Sequence, residues 1–217
     1  MTNCLLCQSS NIGAFQVHKK PEKAYYHCDA CDFIFMNPSD RLSAMEEKAR
    51  YDLHTEAGSD GHRAFLQPLV DVVTKHLENL KIEKSQLKVL DYGCGPQAFL
   101  SGLFNIKEIP VLNYDLFYFP DQDAFRKNYH AITATEVWEH LYNPREEIVR
   151  LASILKPGGI LAVMTSGHKG EGAFHDWHYR RDLTHVSFFS EKTMRTIAAE
   201  TGLTLIKAQS PFWYFVK

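Results

Sequence analysis

The sequence predicts an α/β protein whose sheet is mostly parallel, ends in an antiparallel hairpin and is preceded by a small metal-held ribbon. Three observations carry this. Residues 89–100, VLDYGCGPQAFL, run from an apolar segment through a glycine-rich turn into a second apolar segment. That strand–turn–helix succession is a common way to hold a nucleotide-like cofactor. From residue 86 onward strand-like and helix-like segments alternate, and alternation of this kind gives a parallel sheet covered on both faces. Near the start, Cys4-x-x-Cys7 and Cys28-x-x-Cys31 stand twenty residues apart, the spacing of two-knuckle zinc sites.

The bulk properties fit. At 217 residues and 45% hydrophobic content, the chain can bury one full core and carry a small appendage. A net charge of -2 weighs against a protein that grips nucleic acid through its phosphates. The opening MTNCLLCQSS lacks a basic stretch followed by an apolar run, and no apolar run reaches membrane-spanning length. A cytoplasmic protein without a membrane partner is expected.

In order along the chain, residues 1–38 read as a zinc ribbon, with Cys4, Cys7, Cys28 and Cys31 as four thiolate ligands. A segment this short cannot build a sufficient core, so the metal supplies much of its folding energy. Residues 39–62 form a helical and loop linker. Ser39 or Asp40 caps a helix over 39–50, and Tyr51 and His54 are lid residues over the cofactor. The main domain spans 63–217. Its first helix covers 63–80, with Pro68 marking its proper start. Strands follow near 87–91, 110–115, 129–135, 159–165, 203–208 and 211–216, with helices near 97–105, 144–155 and 190–201. The last two strands are separated by little more than Ser210 and Pro211, so they must be antiparallel.

The glycine loop admits two cofactors. Gly93-x-Gly95-x-x-Ala98 fits the dinucleotide fingerprint, and Asp91-x-Gly93-x-Gly95 fits the loop that holds S-adenosylmethionine. The sheet, the loop and the terminal hairpin together resemble the class I S-adenosylmethionine-dependent methyltransferases. LKPGGILAVMT at 155–165 looks like that family's turn into its fifth strand, and EVWEHL at 136–141 looks like the stretch after its fourth. HYRRDLTHVSFFS and the paired knuckles further resemble an uncharacterised bacterial subgroup of the family.

The resemblance covers roughly residues 60–217 and implies a Rossmann-like sheet and a set of cofactor contacts. Amides of the loop around Gly93, Cys94 and Gly95 take the cofactor's carboxylate, and Asp91 takes its ammonium. Asp115, at the end of the second strand, accepts both ribose hydroxyls, and Glu136 lies near the cofactor. Gln97 stands where the family commonly has a third glycine and hydrogen-bonds the cofactor's tail instead. Cys94 otherwise only fits a tight turn. Only thirteen residues separate Asp115 from Tyr129, too few for a helix, an edge strand and a second helix. The third edge strand is therefore missing, and Asp121 or Asp123 replaces the acid it would bring to the adenine.

Methyl transfer asks for alignment of nucleophile, methyl and sulfur, and for removal of a proton. Two segments offer the groups. Glu136-x-x-Glu139-His140 is similar to an arrangement in ubiquinone-biosynthesis O-methyltransferases that is associated with a divalent metal. Against that stands local packing, with His140 as a cap or a base. The loop over 168–189 carries His168, His175, His178 and His185 together with Trp177, Tyr179, Arg180 and Arg181. There His178 or His185 is the candidate base, and Trp177, Tyr179, Arg180 and Arg181 bind an anionic acceptor. The leading function is methylation of a small or medium metabolite, preferably at oxygen. The alternatives are an RNA or protein methyltransferase that grips through the ribbon, a non-catalytic partner-binding module, and a nicotinamide-dependent oxidoreductase.

Overall fold

The computed structural model describes residues 3–53 and 60–217; His54 lies outside the described residues. The chain opens with three short antiparallel strands, β1 (Ile12–Val17), β2 (Lys23–Cys28) and β3 (Ile34–Met36). The run KAYYHCDACDFIFMNP thus splits in two at its knuckle, where Asp32 N–H donates to the Cys28 carbonyl at 2.7 Å. Cys4 and Cys31 bring their Sγ atoms to 3.7 Å, and Cys7 and Cys28 to 3.6 Å. A zinc tetrahedron with bonds of about 2.3 Å has an edge of about 3.8 Å, so the four thiols fit that ion. Without a cation, burial pushes the Cys28 thiol up to about 11, a cost that a bound divalent ion reverses.

Helix α1 (Ala44–Tyr51) starts later than expected. Its cap is Ser43, whose Oγ accepts from Glu46 N–H while Ser43 N–H donates to the Glu46 carboxylate at 2.9 Å. Ser43-x-x-Glu46 is the true capping box. The expected cap Asp40 is used by the ribbon instead, accepting from Ala24 N–H at 2.8 Å. Helix α2 (Asp60–Asn79) runs straight through Pro68. The bond that Pro68 cannot donate is outweighed by burial of Leu66, Leu69, Val70, Val73 and Leu77 along one face.

The remaining elements are β4 (Val89–Tyr92), α3 (Phe99–Asn105), β5 (Val111–Tyr114), β6 (Tyr129–Thr135), α4 (Pro144–Ile154), β7 (Leu155–Met164), α5 (Glu171–Phe174), β8 (Ser187–Phe188), α6 (Glu191–Thr201), β9 (Thr204–Gln209) and β10 (Phe212–Val216). Six strands form the main sheet in the order β5-β4-β6-β7-β10-β9. The first four are parallel, and β10 is antiparallel to both its neighbours. Strand β5 is an edge, as the short 116–128 connection requires; that connection holds a bridge from Asp115 to Phe119 and a helical turn over Gln122–Arg126.

Strand alternation divides the core in two. Val89, Ala131, Ile160, Ala162 and Tyr214 pack under α2 and α3. Leu90, Ile132, Leu161, Val163 and Phe215 pack with α4, α6 and Trp138. The KPGG segment is not a turn before β7 but part of it. A Cβ on Gly159 would meet the Lys156 carbonyl at 2.8 Å and the His130 carbonyl at 3.0 Å, so only glycine fits the close approach there.

The ribbon is not an appendage. Strand β8, from the loop after β7, pairs antiparallel with β3 and extends the ribbon to four strands. Tyr25, Ile34 and Met36 share a buried cluster with Phe174, Val186 and Phe188. Arg180 is 1% exposed; its guanidinium donates to the carbonyls of Lys19, Pro21 and His175 at 3.0–3.1 Å. His168 Nε2–H donates to the Asp32 carbonyl and Thr193 Oγ1 to that of Cys31. With zinc holding the knuckles, Cys4→Ser should lower Tm by on the order of 10 °C in a single transition. A ribbon that melts separately, leaving the main transition in place by calorimetry, would contradict this coupling.

Candidate functional site

A cleft of about 700 Å³ opens at the carboxyl ends of β4, β5 and β6, where parallel sheets bind ligands. Its floor is the glycine loop. Gly93 has φ +76°, and a Cβ there would stand 2.3 Å from a Val137 methyl; Gly93 is required by both conformation and space. The Gly93 and Cys94 amides both donate to the Tyr114 carbonyl, at 2.7 and 3.1 Å. Asp115 completes this link: Oδ2 accepts from Gly95 N–H at 3.0 Å, and Oδ1 from Phe117 and Tyr118 N–H at 2.9 and 3.1 Å. It therefore pins the turn and still faces the cleft.

Not every expected cofactor residue reaches this space. Asp91 is 1% exposed, lies behind the loop and takes the Thr133 hydroxyl at 2.8 Å. Burial pushes its carboxyl up to about 7. It is not among the residues that line the cleft. Cys94 turns its thiol to the Gly95 carbonyl, and Gln97 is exposed; neither lines the cleft. The loop amides of residues 93–95 are spent on Tyr114 and Asp115, not offered to a carboxylate. Asp123 is exposed and paired with Arg126 at 2.9 Å, while Asp121 caps the turn through Asp123 N–H. Both are solvated turn acids, as acids after a proline often are. Glu136 does line the cleft, with φ +53° directly after β6.

The walls are aromatic. Tyr92 and Tyr114 stack at 5.4 Å, and Phe117 and Tyr118 follow from the turn after β5. Helix α1 forms the roof through Ala44, Glu47 and Tyr51. Tyr51 lies 5.8 Å from the Phe117 ring and 5.3 Å from the His140 ring, and Tyr118 OH donates to Asp52 at 2.6 Å. Tyr51, expected as a lid residue, lines the cleft from this roof. Glu47, Phe117, Tyr118, Tyr142 and Glu147 were not singled out by the sequence. The aromatic run LFYF directly after Asp115 was the one available signal.

Beyond Glu136 the chemistry continues inward. Tyr179 OH donates to Glu139 and lies 3.2 Å from the Glu136 carboxylate. Glu139 is wholly buried; burial first, then the Glu136 charge, pushes it up to about 8. His140 Nδ1 is 3.1 Å from the Thr184 carbonyl, and His185 Nδ1 is 2.6 Å from that of Tyr179. Each Nδ1 therefore carries the proton, which makes Nε2 the basic nitrogen of both rings. Ligand atoms of Glu139, His140 and His185 lie within 4.8 Å of one another and can hold a metal ion. Glu136, expected beside Glu139 and His140 in such a set, is not in that group; His185 is.

The loop over 168–189 divides in two. His140 and His185 line the cleft; His178 does not, being exposed on a helical turn over His178–Arg181. Trp177 packs on Tyr179 and Phe188. Arg180 is consumed by the ribbon carbonyls, and Arg181 is exposed away from the lining. Of the expected acceptor-binding set Trp177, Tyr179, Arg180 and Arg181, none lines the cleft: Tyr179 meets Glu136 and Glu139 behind it, and β8 pairing turns the rest of that half of the loop toward the ribbon.

Residues 62–208 match the family model described as "Methyltransferase domain". No curated protein matches the chain. Among solved structures, an O-methyltransferase family protein from Burkholderia thailandensis is similar at TM-score 0.55 and 15% identity, over 82% of this chain and 64% of that one. This chain therefore aligns with less than two thirds of that protein's length. The 1,6-didemethyltoxoflavin-N1-methyltransferase of Burkholderia thailandensis, solved with its substrate and S-adenosylhomocysteine, is similar at TM-score 0.50 and 14% identity, over 93% of this chain and 96% of that one. Identities this low speak for the fold. The family match spans well over half of the sequence and meets the sheet order, the glycine loop and the cleft on the same residues: the chain belongs to the methyltransferase-domain family.

Proposed function

We propose that the cleft binds S-adenosylmethionine and that the protein transfers its methyl group to a small-molecule acceptor held beneath α1. The observation that carries this is Asp115, which ends β5, pins the glycine loop and presents its remaining lone pairs to the cleft. A carboxylate so placed suits a ribose diol. Gly93 and Gly95 give the cofactor close approach, and the Tyr92–Tyr114 wall and Phe117 give it apolar surface. Glu136 replaces Asp91 as the acid that faces the cofactor's ammonium. Asp91 supports the loop from behind.

When bound, the cofactor supplies an electrophilic methyl on a sulfonium. The chain has to position the acceptor and manage its proton. His140 and His185 both face the cleft with Nε2 as the basic nitrogen, so proton removal is assigned to this pair rather than to His178. The lining holds no lysine or arginine among the described residues, which argues against RNA as acceptor. Two of the ribbon's three lysines are also engaged: Lys19 with Asp176 and Lys23 with the Asp40 carbonyl. The ribbon is therefore read as a structural part of the enzyme rather than as a grip on a polymer.

Calorimetric titration should show S-adenosylhomocysteine binding in the micromolar range and no binding of NADH. Asp115→Asn should weaken it by about tenfold or more, as loss of a charged hydrogen-bond acceptor does. Gly93→Ala should abolish binding and destabilise the fold by about 1–3 kcal/mol. Unchanged affinity in both variants would place the cofactor elsewhere.

A pH prediction follows from Asp91. Its folded carboxyl titrates at about 7 against an ordinary 3.8, chiefly through burial. The folded chain then holds an extra proton between those values. The contribution of Asp91 to stability therefore falls as pH rises through that interval and is constant above it. Asp91→Asn should flatten Tm against pH between about 5 and 7; an unchanged slope would mean that Asp91 titrates normally.

A further inference from the structure

We propose that Glu47 binds a positively charged group of the acceptor, such as a protonated amine carried near an aromatic or apolar ring. This rests on the cleft being the methyl-transfer site, and it reverses the expectation of an anionic acceptor.

The cleft is lined by five carboxylates, Glu47, Asp115, Glu136, Glu147 and Asp182, and by two imidazoles. Three of the acids are already compensated. Asp115 accepts three backbone N–H groups. Glu147 is paired with Arg150 and accepts from Tyr92 OH at 2.7 Å. Asp182 accepts from Thr184 N–H and Oγ1–H and lies 3.6 Å from Arg50. That leaves Glu136, beside the glycine loop and assigned to the cofactor, and Glu47, on the roof.

Glu47 is 8% exposed, and it lines the cleft. One oxygen accepts from Tyr51 OH at 2.8 Å. No ion pair to it is formed among the described residues. Arg41, which packs on the neighbouring Tyr142, stands over that ring at 5.1 Å and donates to the Tyr142 and Met36 carbonyls instead. Burial raises the Glu47 carboxyl above its ordinary value. A carboxylate this secluded costs stability unless something positive meets it. An ammonium entering the cleft would form a charge-assisted hydrogen bond with Glu47. The Tyr51 and Tyr142 rings, which also line the cleft, add aromatic faces that favour a cation. An anionic acceptor would meet the opposite situation: concentrated negative potential and, among the described residues, no lysine or arginine in the lining to offset it.

The test uses the full chain loaded with S-adenosylhomocysteine and three probes of similar shape: 2-phenylethylamine, 2-phenylethanol and 3-phenylpropanoate. Calorimetry should show the amine binding at least tenfold more tightly than the carboxylate, with the alcohol between them. Glu47→Gln keeps an acceptor for Tyr51 and should erase the amine's advantage while leaving S-adenosylhomocysteine affinity unchanged and Tm no lower. Glu47→Lys should invert the order. Equal or tighter binding of the carboxylate, an amine preference that survives Glu47→Gln, or no binding of any probe at millimolar concentration overturns the assignment. Failure of S-adenosylhomocysteine itself to bind would instead remove the cofactor reading.

Discussion

The pairing of β8 with β3 is the constraint on which the rest of the molecule turns. Two residues of the loop after β7 join the ribbon sheet, and this fixes every side chain nearby. Upstream, Arg180 is drawn into the ribbon's carbonyls and Trp177 into its aromatic cluster. Tyr179 and His185 are left facing the other way, against Glu139 and His140. The ribbon thus sets which half of a polar loop serves the cleft. Removing it would take away the strand that β8 pairs with, and with it the support of the loop that carries His185.

A second consequence is electrostatic. With Arg180 buried against the ribbon and Arg181 in water, the cleft lining keeps its acids and two imidazoles but neither arginine. Glu136 and Glu139 share one phenol, that of Tyr179, and neither forms a salt bridge among the described residues. Carboxyls held this way resist ionisation until something positive arrives. A sulfonium cofactor brings such a charge, so the same acids that destabilise the empty cleft favour its ligand. The wall is complementary to the charge it receives rather than to an anion.

Much of this was legible in the sequence, for physical reasons. The mostly parallel sheet follows from strand–helix alternation, and its antiparallel end from a two-residue hairpin link that allows only antiparallel pairing. The missing edge strand follows from chain length between Asp115 and Tyr129. The cysteine tetrahedron follows from spacing. These are local or near-local constraints. What the sequence hid depends on contacts between distant segments. Glu47 sits in a helix that reads as a solvated linker, and only its fold-back over β6 makes it a cleft residue. Arg180 and Arg181 are adjacent and chemically alike; one is buried by carbonyls about 160 positions upstream and the other stays in water. No periodicity separates them. Asp91 and Asp115 both end strands, yet one is covered by the neighbouring β6 and the other lies at the sheet edge, open to the cleft.

That last contrast explains how the site distributes its tasks. In a parallel sheet, the strand at the centre has neighbours on both sides, so an acid at its tip is buried and hydrogen-bonded inward. Asp91 on β4 is such a residue, and its pairing with Thr133 on β6 holds the loop's base. The edge strand has one neighbour only, and because no further strand covers β5, Asp115 keeps an open side. Loss of the third strand is then no degradation of the pocket. It leaves the turn after β5 free to carry Phe117 and Tyr118 toward α1, where Tyr51 and Asp52 meet them. The short connection exchanges a buried edge for an aromatic seam between sheet and roof, and that seam bounds the space where an acceptor would sit.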